Sequence, residues 1–416
     1  MTPVLAPKID TLFTSVQALH VGVDIAPVQP PLTGIGNYAL YLLMALLGDA
    51  ERPVVSGFGR WRWANLDVQV MKRAAARSDQ VRTKLTSNAL RGVARFAGRS
   101  SILRAGSSLL RRQIFQKTCP KSLSIFHAFA FVPPGRLHCP TIPVVYDLSF
   151  VRFPEAHPVA RLYSLKGLHR HLEQAPIVHT ISEFSAGEIS QVFGVPRSRI
   201  EVIYPGVNRI FMNSVPGKFT GALAKFSLSP GYYFLSLSTL EPRKNIRTLV
   251  QAYSRMDAST RQKIPLCIAG AAGWGMLNLP NDANRLQAEG TLKFLGYISN
   301  SELRDLYSCC RAFFYPSFYE GFGMPVAEAL ACGASVVASD TASLPEAGGK
   351  CARYVAPHDS DAWLEELQRA ADSAPFNPVL VDARRAFSSQ FSWRAAAKTT
   401  LNMYAKVAGA DGRPPE

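Results

Sequence analysis

The stretch Tyr315–Gly333, YPSFYEGFGMPVAEALACG, carries the pattern that decides the fold. The apolar residues Ala312–Tyr315 predict a buried strand that leads into a glycine-containing loop, and Pro325 stands where a following helix would have its first turn. Strands that lead through short loops into helices are the units of parallel α/β sheets. The sequence therefore predicts an α/β protein with this loop at the carboxyl end of a strand, where such sheets bind ligands.

The same loop has the chemistry of a site for phosphates and hydroxyl groups. Its backbone N–H groups and the positive end of the helix suit a phosphate, and Glu320 and Glu328 flank it with carboxylates that can bind hydroxyls. A nucleotide sugar combines these features, because hydroxyls of the hexose and the ribose lie on either side of its phosphates. A glycine pair alone would indicate only a turn, whereas the whole strand–loop–helix string with both glutamates is more specific.

Short apolar strands alternate with helical patterns through most of the chain, which indicates sheets made of βαβ units. The predicted strands are His20–Ala26, Ser124–His127, Ile142–Asp147, Ile177–Ile181, Arg199–Ile203, Tyr232–Leu237, Pro265–Ala269, Leu292–Leu295, Ala312–Tyr315 and Ser335–Ala338. Helices are predicted to begin near Asn37 and to span Asn245–Tyr253 and Glu302–Cys309.

A stretch rich in Pro and Gly, 205–230, separates the two sets of strands. We predict two doubly wound, Rossmann-like domains that face each other across a cleft. The predicted bounds are 1–208 for the first domain, 209–230 for the linker, 231–395 for the second domain, and 396–416 for a C-terminal helix and tail that could cross back to the first.

Composition excludes several classes of protein. Of the 416 residues, 47 % are apolar and 18 % are charged, which suits large cores and argues against a disordered chain. The longest apolar run, Tyr38–Leu47, is about half a membrane span. The seven cysteines form no CxxC pair, and the N-terminus lacks a signal-peptide pattern. We therefore expect a cytoplasmic protein with reduced thiols and no structural zinc.

The positive charge is concentrated in one segment. The formal net charge is +16, and residues 51–121 carry 16 basic and 3 acidic side chains, which gives +13. Apolar residues at roughly helical spacing predict a pair of basic amphipathic helices inserted in the first domain. This segment suits an anionic membrane surface, although an ordinary solvated surface would have the same pattern. Nucleic acid is not expected as a partner, because no interleaved aromatic residues accompany the charge.

The string of Glu320, seven residues and Glu328 resembles the signature of family 4 glycosyltransferases, which have the two-domain GT-B fold. Other blocks resemble the family in the right order: GIGNY at 34–38, ISEFS at 181–185, VIYPGVN at 202–208, TLEPRKN at 239–245 and SLPE at 343–346. The resemblance covers roughly residues 20–50 and 124–405, and leaves most of the basic segment unmatched.

The resemblance implies a site for a nucleotide-sugar donor. Arg243 and Lys244 would hold the diphosphate, where positive charge stabilises the leaving group. Glu320 would bind hydroxyls of the sugar, and Glu328 those of the ribose. The other residues implied in donor binding are the N-terminal glycines Gly34 and Gly36 and the loop residues Gly321, Phe322, Gly323, Met324 and Pro325.

The resemblance also implies residues near the sugar and the acceptor. His127, in the block FHAFAF, stands where the family usually has a histidine that positions the donor sugar, although a strand-end histidine taken alone is more often structural. Asn37 and Tyr38 would approach the acceptor. Asp147 could orient the acceptor or cap a turn. The family often has a histidine before this aspartate, and Tyr146 replaces it here.

The implied reaction is hexosyl transfer with retention of configuration, in which the departing phosphate accepts the proton of the acceptor hydroxyl. No Asp-x-Asp stands in a loop expected to face the cleft, so neither a metal nor another cofactor is expected. Strings such as DLSFVRFPE resemble bacterial mannosyl- and rhamnosyltransferases of O-antigen or exopolysaccharide assembly. This favours GDP-mannose as donor and a lipid-linked oligosaccharide as acceptor, with the protein bound peripherally to the inner face of the cytoplasmic membrane.

Other functions are compatible with parts of this pattern. A UDP- or dTDP-sugar could replace the GDP-linked donor. A nucleotide-sugar epimerase or a phosphorylase can share the fold, and an epimerase would consume the donor without an acceptor. A non-catalytic scaffold that binds membranes or polyanions would have no affinity for nucleotides.

Overall fold

Two β-sheets organise the chain. In a computed structural model, the described residues are 16–29, 32–59, 61–85, 101–212, 214, 221–237, 241–270 and 279–409. Within these residues the first sheet has seven strands and the second has six. Both sheets are built largely from short, buried apolar strands, as expected where helices cover the two faces of a parallel sheet.

The first sheet has the strand order β3-β2-β1-β4-β5-β6-β7, and every neighbouring pair is parallel except β2 and β3. Its strands are β1 (His20–Asp24), β2 (Val54–Phe58), β3 (Trp63–Asn65), β4 (Ile125–Ala128), β5 (Thr141–Val145), β6 (Val178–Thr180) and β7 (Ile200–Val202). The helices of this region are α1 (Gly34–Leu47), α2 (Val68–Leu85), α3 (Ser101–Thr118), α4 (Ser149–Arg152), α5 (Val159–Ser164), α6 (Leu168–Gln174) and α7 (Glu183–Phe193).

The second sheet is parallel throughout, in the order β10-β9-β8-β11-β12-β13. Its strands are β8 (Phe234–Leu237), β9 (Leu266–Ala269), β10 (Leu292–Gly296), β11 (Ala312–Tyr315), β12 (Val336–Ser339) and β13 (Ala352–Val355). The helices that precede β8 are α8 (Arg209–Met212) and α9 (Ala222–Lys225). Those that follow it are α10 (Ile246–Ser254), α11 (Ala258–Lys263), α12 (Asp282–Ala288), α13 (Asn300–Cys309), α14 (Met324–Ala331), α15 (Leu344–Gly348), α16 (Ser360–Asp372), α17 (Pro378–Ser388) and α18 (Trp393–Gly409).

Helix α18 returns to the first sheet. It packs against α1, and its side chains Leu401, Met403 and Tyr404 are buried in the core around the first sheet. The chain crosses at Gly206, where a Cβ atom would lie 2.2 Å from the backbone nitrogen of Trp393. Only glycine allows this approach, so the last helix is fixed against the end of the first domain.

All ten predicted strands are present, and their bounds differ from the prediction by at most two residues at either end. Helix α1 begins at Gly34, earlier than predicted, because Thr33 caps it: the Thr33 hydroxyl accepts a hydrogen bond from the N–H of Gly36 at 3.4 Å. Of the two other predicted helices, α10 is shifted by one residue, and α13 begins two residues earlier than predicted and ends at the predicted residue.

The prediction that residues 51–121 form only a helix pair is wrong. The segment first forms β2 and β3, and β2 lies directly beside β1 in the sheet. Val55 and Phe58 are buried there, which the short sequence VVSGF did not make evident. The helices α2 and α3 follow, and residues 86–100 between them lie outside the described part of the chain.

The predicted domain bounds stay predictions, and parts of the predicted linker (213 and 215–220) and tail (410–416) are not described. Within the described ranges, no helix combines the length and apolarity needed to span a bilayer.

Candidate active site

The strand order of the second sheet reverses between β8 and β11, which in such sheets opens a crevice at the carboxyl ends of the strands. Lys244, in the 3-10 turn after β8, places its Nζ atom 2.6 Å from Glu320 Oε1 in the loop after β11. Arg243 Nη1 lies 3.4 Å from Glu320 Oε2. The hydroxyl of Tyr315, the last residue of β11, donates to Glu320 Oε1 at 2.9 Å. The structure thus brings three predicted site residues together, and we call Arg243, Lys244 and Glu320 the charge cluster.

Asn245 holds the turn that carries the two basic residues. Its φ of 54° lies in the left-handed region, which asparagine tolerates better than most residues. Its Nδ2 donates to the carbonyl oxygens of Pro316 at 3.0 Å and Pro357 at 2.7 Å, and its Oδ1 accepts from the Thr248 hydroxyl at 2.6 Å. These bonds tie the turn to the end of β11, so the position of the basic side chains is fixed by the fold.

Glu320 and Arg243 of the charge cluster stay ionised at neutral pH. Burial by itself would raise the pKa of Glu320, but the Lys244 ammonium and the Arg243 guanidinium outweigh it and lower the pKa to about 2. Burial opposes the charge of Arg243, yet Glu320 and Asp147 keep the pKa of its guanidinium raised. Glu241 Oε2 lies 3.6 Å from Arg243 Nη2. An anionic ligand would therefore compete with Glu320 and Glu241 for these two cations.

The loop between Glu320 and α14 runs close to its neighbours. A Cβ on Gly321 would lie 2.5 Å from the carbonyl oxygen of Tyr146, which belongs to the first domain. Gly323 has a φ of 100°, a conformation that other residues rarely adopt. Both glycines are therefore required by the path of the loop.

Helix α14 begins directly after this loop with Met324 and Pro325, which are half-buried. Proline suits the first turn of a helix because the N–H it lacks would have no partner within the helix. Phe322 is buried against the rings of Tyr204 and Phe391, so its side chain belongs to the core and only its backbone remains for a ligand.

Glu328 lies one turn inside α14 and is half-buried. Within the described residues its carboxyl group has neither a hydrogen bond nor an ion pair. Burial raises the pKa of its carboxyl group to about 8. An acceptor group without a partner, next to the charge cluster's loop, is available to hydroxyls of a ligand.

The first domain faces this loop with the residues that follow β5. Asp147 Oδ1 accepts hydrogen bonds from the N–H of Ser149 at 2.9 Å and from its hydroxyl at 2.6 Å. Asp147 therefore caps the turn into α4, which is the structural alternative of the two predicted for it. It remains half-buried and lies near Gly321, whose Cβ position is 3.1 Å from Asp147 Cβ.

Of the N-terminal glycines, Gly34 is exposed, with no atom within 4 Å of its Cβ position. Gly36 packs against the backbone of Pro27, where a Cβ would lie 2.4 Å from the carbonyl oxygen. This close contact accounts for Gly36 within the first domain, whereas Gly34 is open to a ligand. Asn37 is half-buried at the same end of α1.

Tyr38 and His127 are not placed as the resemblance implied. They are buried and joined through His179 to Tyr404: the 2.8 Å contacts are Tyr38 Oη to His179 Nε2, His179 Nδ1 to His127 Nε2, and His127 Nδ1 to Tyr404 Oη. Tyr38 also donates to the carbonyl oxygen of Ile203 at 2.9 Å. Both ring nitrogens of His127 are thus occupied, and this geometry leaves none for a donor sugar.

Burial determines which atoms of this hydrogen-bonded network carry the protons. Burial lowers the pKa of His127 to about 3, and lowers that of His179 as well, so both rings are neutral and each has one donor and one acceptor nitrogen. Because Tyr38 donates to Ile203, it accepts from His179, which accepts from His127, which accepts from Tyr404. The polar groups of these four side chains are then paired, and the network joins α1, β4, β6 and α18.

Sequence reasoning missed the residues that join the two domains. The Tyr319 hydroxyl accepts from the N–H of Leu148 at 2.9 Å and donates to Glu188, which also accepts from Arg152 Nε at 2.7 Å. Tyr319 precedes Glu320 directly, so this contact ties the charge cluster's loop to the first domain. Periodicity places Glu188 on a helix but does not show what it faces.

A second contact between the domains involves Glu346. Its carboxylate accepts hydrogen bonds from the N–H groups of Glu183 and Phe184, both at 2.7 Å, at the first turn of α7. It also accepts from the Tyr204 hydroxyl at 3.0 Å. These residues belong to the blocks ISEFS, VIYPGVN and SLPE. Each block resembles the family in sequence, but the sequence does not show that the three blocks are in contact.

No group of three or more His, Cys, Asp or Glu side chains in the described ranges is arranged to hold a metal ion. Because residues 238–240 and 271–278 are not described, metal independence stays a prediction.

Comparisons with known proteins agree with this geometry. Residues 225–386 match the family model "Glycosyl transferases group 1". The chain is 34 % identical over 381 residues to O-antigen chain mannosyltransferase B of Escherichia coli. The aligned residues cover 91 % of this chain and 97 % of that protein.

Solved structures show the same fold. Sucrose-phosphate synthase of Thermosynechococcus elongatus superposes with a TM-score of 0.66 at 19 % identity, over 94 % of this chain and all of that one. HepE of Anabaena, solved in complex with UDP and glucose, superposes with a TM-score of 0.63 at 16 % identity, over 92 % of this chain and 98 % of that one. The GT-B fold predicted from the sequence is confirmed. On the extent of its identity to the E. coli mannosyltransferase, the chain belongs to the group 1 glycosyl transferases and is a glycosyltransferase.

Proposed function

We propose that this glycosyltransferase moves a mannosyl residue from GDP-mannose to a lipid-linked or growing polysaccharide acceptor, with retention of configuration. The observation that carries the proposal is the charge cluster at the reversal point of the second sheet, beside the glycine loop and facing the first domain. The relative named an O-antigen chain mannosyltransferase supports mannose as the sugar and polysaccharide as the acceptor class.

In the proposed reaction, Arg243 and Lys244 bind the diphosphate and stabilise the negative charge that develops on it. The bond between the anomeric carbon and the phosphate oxygen breaks, and a bond from the acceptor oxygen to the same carbon forms on the same face. The acceptor's proton passes to the departing phosphate oxygen. Glu320, partly released from the two cations by the diphosphate, accepts hydrogen bonds from sugar hydroxyls, and Glu328 does so from the ribose.

We propose that the reaction needs no metal, because the two cations already neutralise the leaving group. Transfer by protein treated with EDTA should match that of the untreated protein. A rate that falls with EDTA and returns with Mg²⁺ or Mn²⁺ would contradict this part of the proposal.

The acceptor is proposed to reach Gly34, Asn37 and Asp147 on the first domain, with the basic segment 51–121 against an anionic membrane at its cytoplasmic face. The described part of this segment carries exposed basic side chains such as Arg73 and Arg77, in agreement with such a contact. Binding to vesicles should then weaken with salt and require anionic lipid. Vesicle binding that does not depend on lipid charge would count against it.

The activity is tested by incubating the protein with GDP-mannose, UDP-glucose and a dTDP-sugar in turn, with and without a mannan-type lipid-linked acceptor. We expect GDP release and an elongated acceptor only with GDP-mannose, and proton NMR of the product should show the donor's anomeric configuration. Transfer from a UDP- or dTDP-sugar would keep the reaction and replace the donor. Donor consumption without acceptor would indicate an epimerase, and no consumption of any donor would favour a scaffold.

A further inference from the structure

A cavity of about 780 Å³ lies in the first domain, between α3, the connection from β4 to β5, and α6. Its basic lining residues are Arg112, Arg136, Arg170 and His171. None of the residues that line it is acidic. The lining also includes apolar side chains, among them Pro134 and Leu137. The cavity therefore combines concentrated positive charge with an apolar surface.

The basic side chains of the cavity are free of competing carboxylates. Arg112, Arg136 and Arg170 form no ion pair with any residue in the described ranges. Glu173, the carboxylate nearest in sequence on α6, pairs instead with His169, at 3.2 Å. This contrasts with the charge cluster, where Glu320 occupies both cations. Three unpaired guanidinium groups around one cavity repel one another unless an anion binds between them.

The fold holds Arg112 at this cavity. Phe115, one turn further along α3, is fully buried against Phe58 and Phe126. Arg111, the preceding residue, points to another side of the helix, and its Nη2 atom lies 3.3 Å from Oδ1 of Asp24 at the end of β1. Since successive helix residues are rotated by about 100°, these two contacts leave Arg112 on the side of the cavity. Helix α3 thus places Arg112, a residue of the basic segment 51–121, at the cavity.

The connection from β4 to β5, which also lines the cavity, is likewise held in position by packing. The turn at Gly135 packs on α3, where a Cβ would lie 2.9 Å from Gln116 Cγ and 3.2 Å from Phe115 Cδ1. Burial, and to a smaller extent the neighbouring Arg170, lowers the pKa of His171. Guanidinium groups are well suited to phosphate, because their N–H groups match two of its oxygens at once.

We propose that this cavity binds a phosphate ester, with the phosphate between Arg112, Arg136 and Arg170 and the apolar part of the ligand against Pro134 and Leu137. The phosphate can come from an anionic lipid headgroup or from a free phosphate ester. The site is separate from the donor site, because it lies within the first domain and shares no residue with the charge cluster. It extends the proposed contact of segment 51–121 with an anionic surface to a defined cavity.

The test compares two double variants of the full chain that remove the same charge. Arg136→Gln/Arg170→Gln removes it from the cavity, and Arg209→Gln/Arg394→Gln removes it from two exposed positions elsewhere. Binding is measured to vesicles of phosphatidylcholine with and without phosphatidylglycerol, and to glycerol 1-phosphate by calorimetry. Because the four arginines are exposed, both variants should fold, and equal GDP affinity in both shows that the donor site is intact.

If the lipid headgroup is the ligand, the cavity variant should lose about thirty-fold in affinity for the anionic vesicles, while the control loses little. If a free ester is the ligand, the cavity variant alone should lose its binding of glycerol 1-phosphate, and both variants should bind vesicles alike. Equal behaviour of the two variants with both probes would overturn the cavity site. If wild type does not bind anionic vesicles, the membrane contact fails, and the calorimetric comparison alone decides the cavity.

Discussion

Lys244 is the residue whose loss tests the charge cluster most simply. Its ammonium group contacts Glu320 and lies where the leaving diphosphate would develop charge. Lys244→Ala should lower kcat/KM by about 100-fold or more, the usual effect of removing one donor to a developing charge. Lys225→Ala is the matched control, because Lys225 also pairs with a glutamate, Glu302, at 2.7 Å. Near-normal transfer by Lys244→Ala would break the proposed site.

Tyr404 tests whether His127 is structural. Tyr404→Phe removes the hydroxyl that satisfies His127 Nδ1 and leaves a buried acceptor without a partner. We expect a loss of about 1–3 kcal/mol in the free energy of unfolding, with kcat of the folded protein nearly unchanged. Chemical denaturation and initial rates measure the two quantities, and Tyr163→Phe, at an exposed tyrosine, serves as control. Lost turnover at unchanged stability would instead place His127 in the chemistry.

Glu328 gives a pH dependence. Burial raises its carboxyl pKa to about 8, and ribose hydroxyls donate best to the ionised form. Ligand binding should therefore become tighter as the pH rises from 7 to 9, by about tenfold, because only about a tenth of the groups are ionised at pH 7. Calorimetric titration with GDP measures this. In Glu328→Gln the affinity should be lower and flat across the same range; an equal pH dependence in both proteins would refute the assignment.

The same shift affects stability in the opposite sense. The pKa of Glu328 is raised above its ordinary value of 4.5, so the folded protein binds more protons than the unfolded chain between that value and about 8. Its contribution to stability is thus present below pH 4.5 and is lost as the pH rises to about 8. A ligand that binds the ionised form compensates this loss.

Helix α7 shows how one element depends on the other domain. Two N–H groups of its first turn, which have no partner within the helix, donate to Glu346. In Glu346→Gln the side chain has one acceptor oxygen and no charge, so we expect the free energy of unfolding to fall by about 1–2 kcal/mol. Denaturant titration measures this, with Glu365→Gln on the exposed face of α16 as control. Equal stability of the two variants would show that the contact contributes little.

The strands and helices were largely predictable, because buried parallel strands are short apolar runs and caps such as Thr33 have local signals. The exceptions have physical reasons. The short strand β2 was not predicted, because its few apolar residues lie in a segment dominated by basic residues. Strand β13, Ala352–Val355, carries the exposed Arg353 and the half-buried Tyr354 and is only partly apolar.

At the level of the whole molecule, the alternation of strands and helices predicted two doubly wound domains, and the GT-B fold followed from the resemblance of the block with Glu320 and Glu328 to a glycosyltransferase signature. The charge cluster was also predictable, since its residues follow strands that meet at the reversal of the sheet. The burial of Tyr38 and His127 was not, because it depends on α18 covering the first domain from the far end of the chain. The contacts of Glu188 and Glu346 between the domains could not be predicted either, because they join residues that are far apart in the sequence.

The charge cluster is proposed to bind the diphosphate of a GDP-linked donor. Thermal unfolding with saturating GDP, UDP, dTDP or ADP tests it directly, in wild type and in Arg243→Ala/Lys244→Ala. A ligand at 100 times its dissociation constant stabilises the folded state by about 2.7 kcal/mol, which shifts the melting temperature by several degrees. We expect the largest shift for GDP in wild type and none in the variant. No shift with any nucleotide, or an equal shift in the variant, would contradict it.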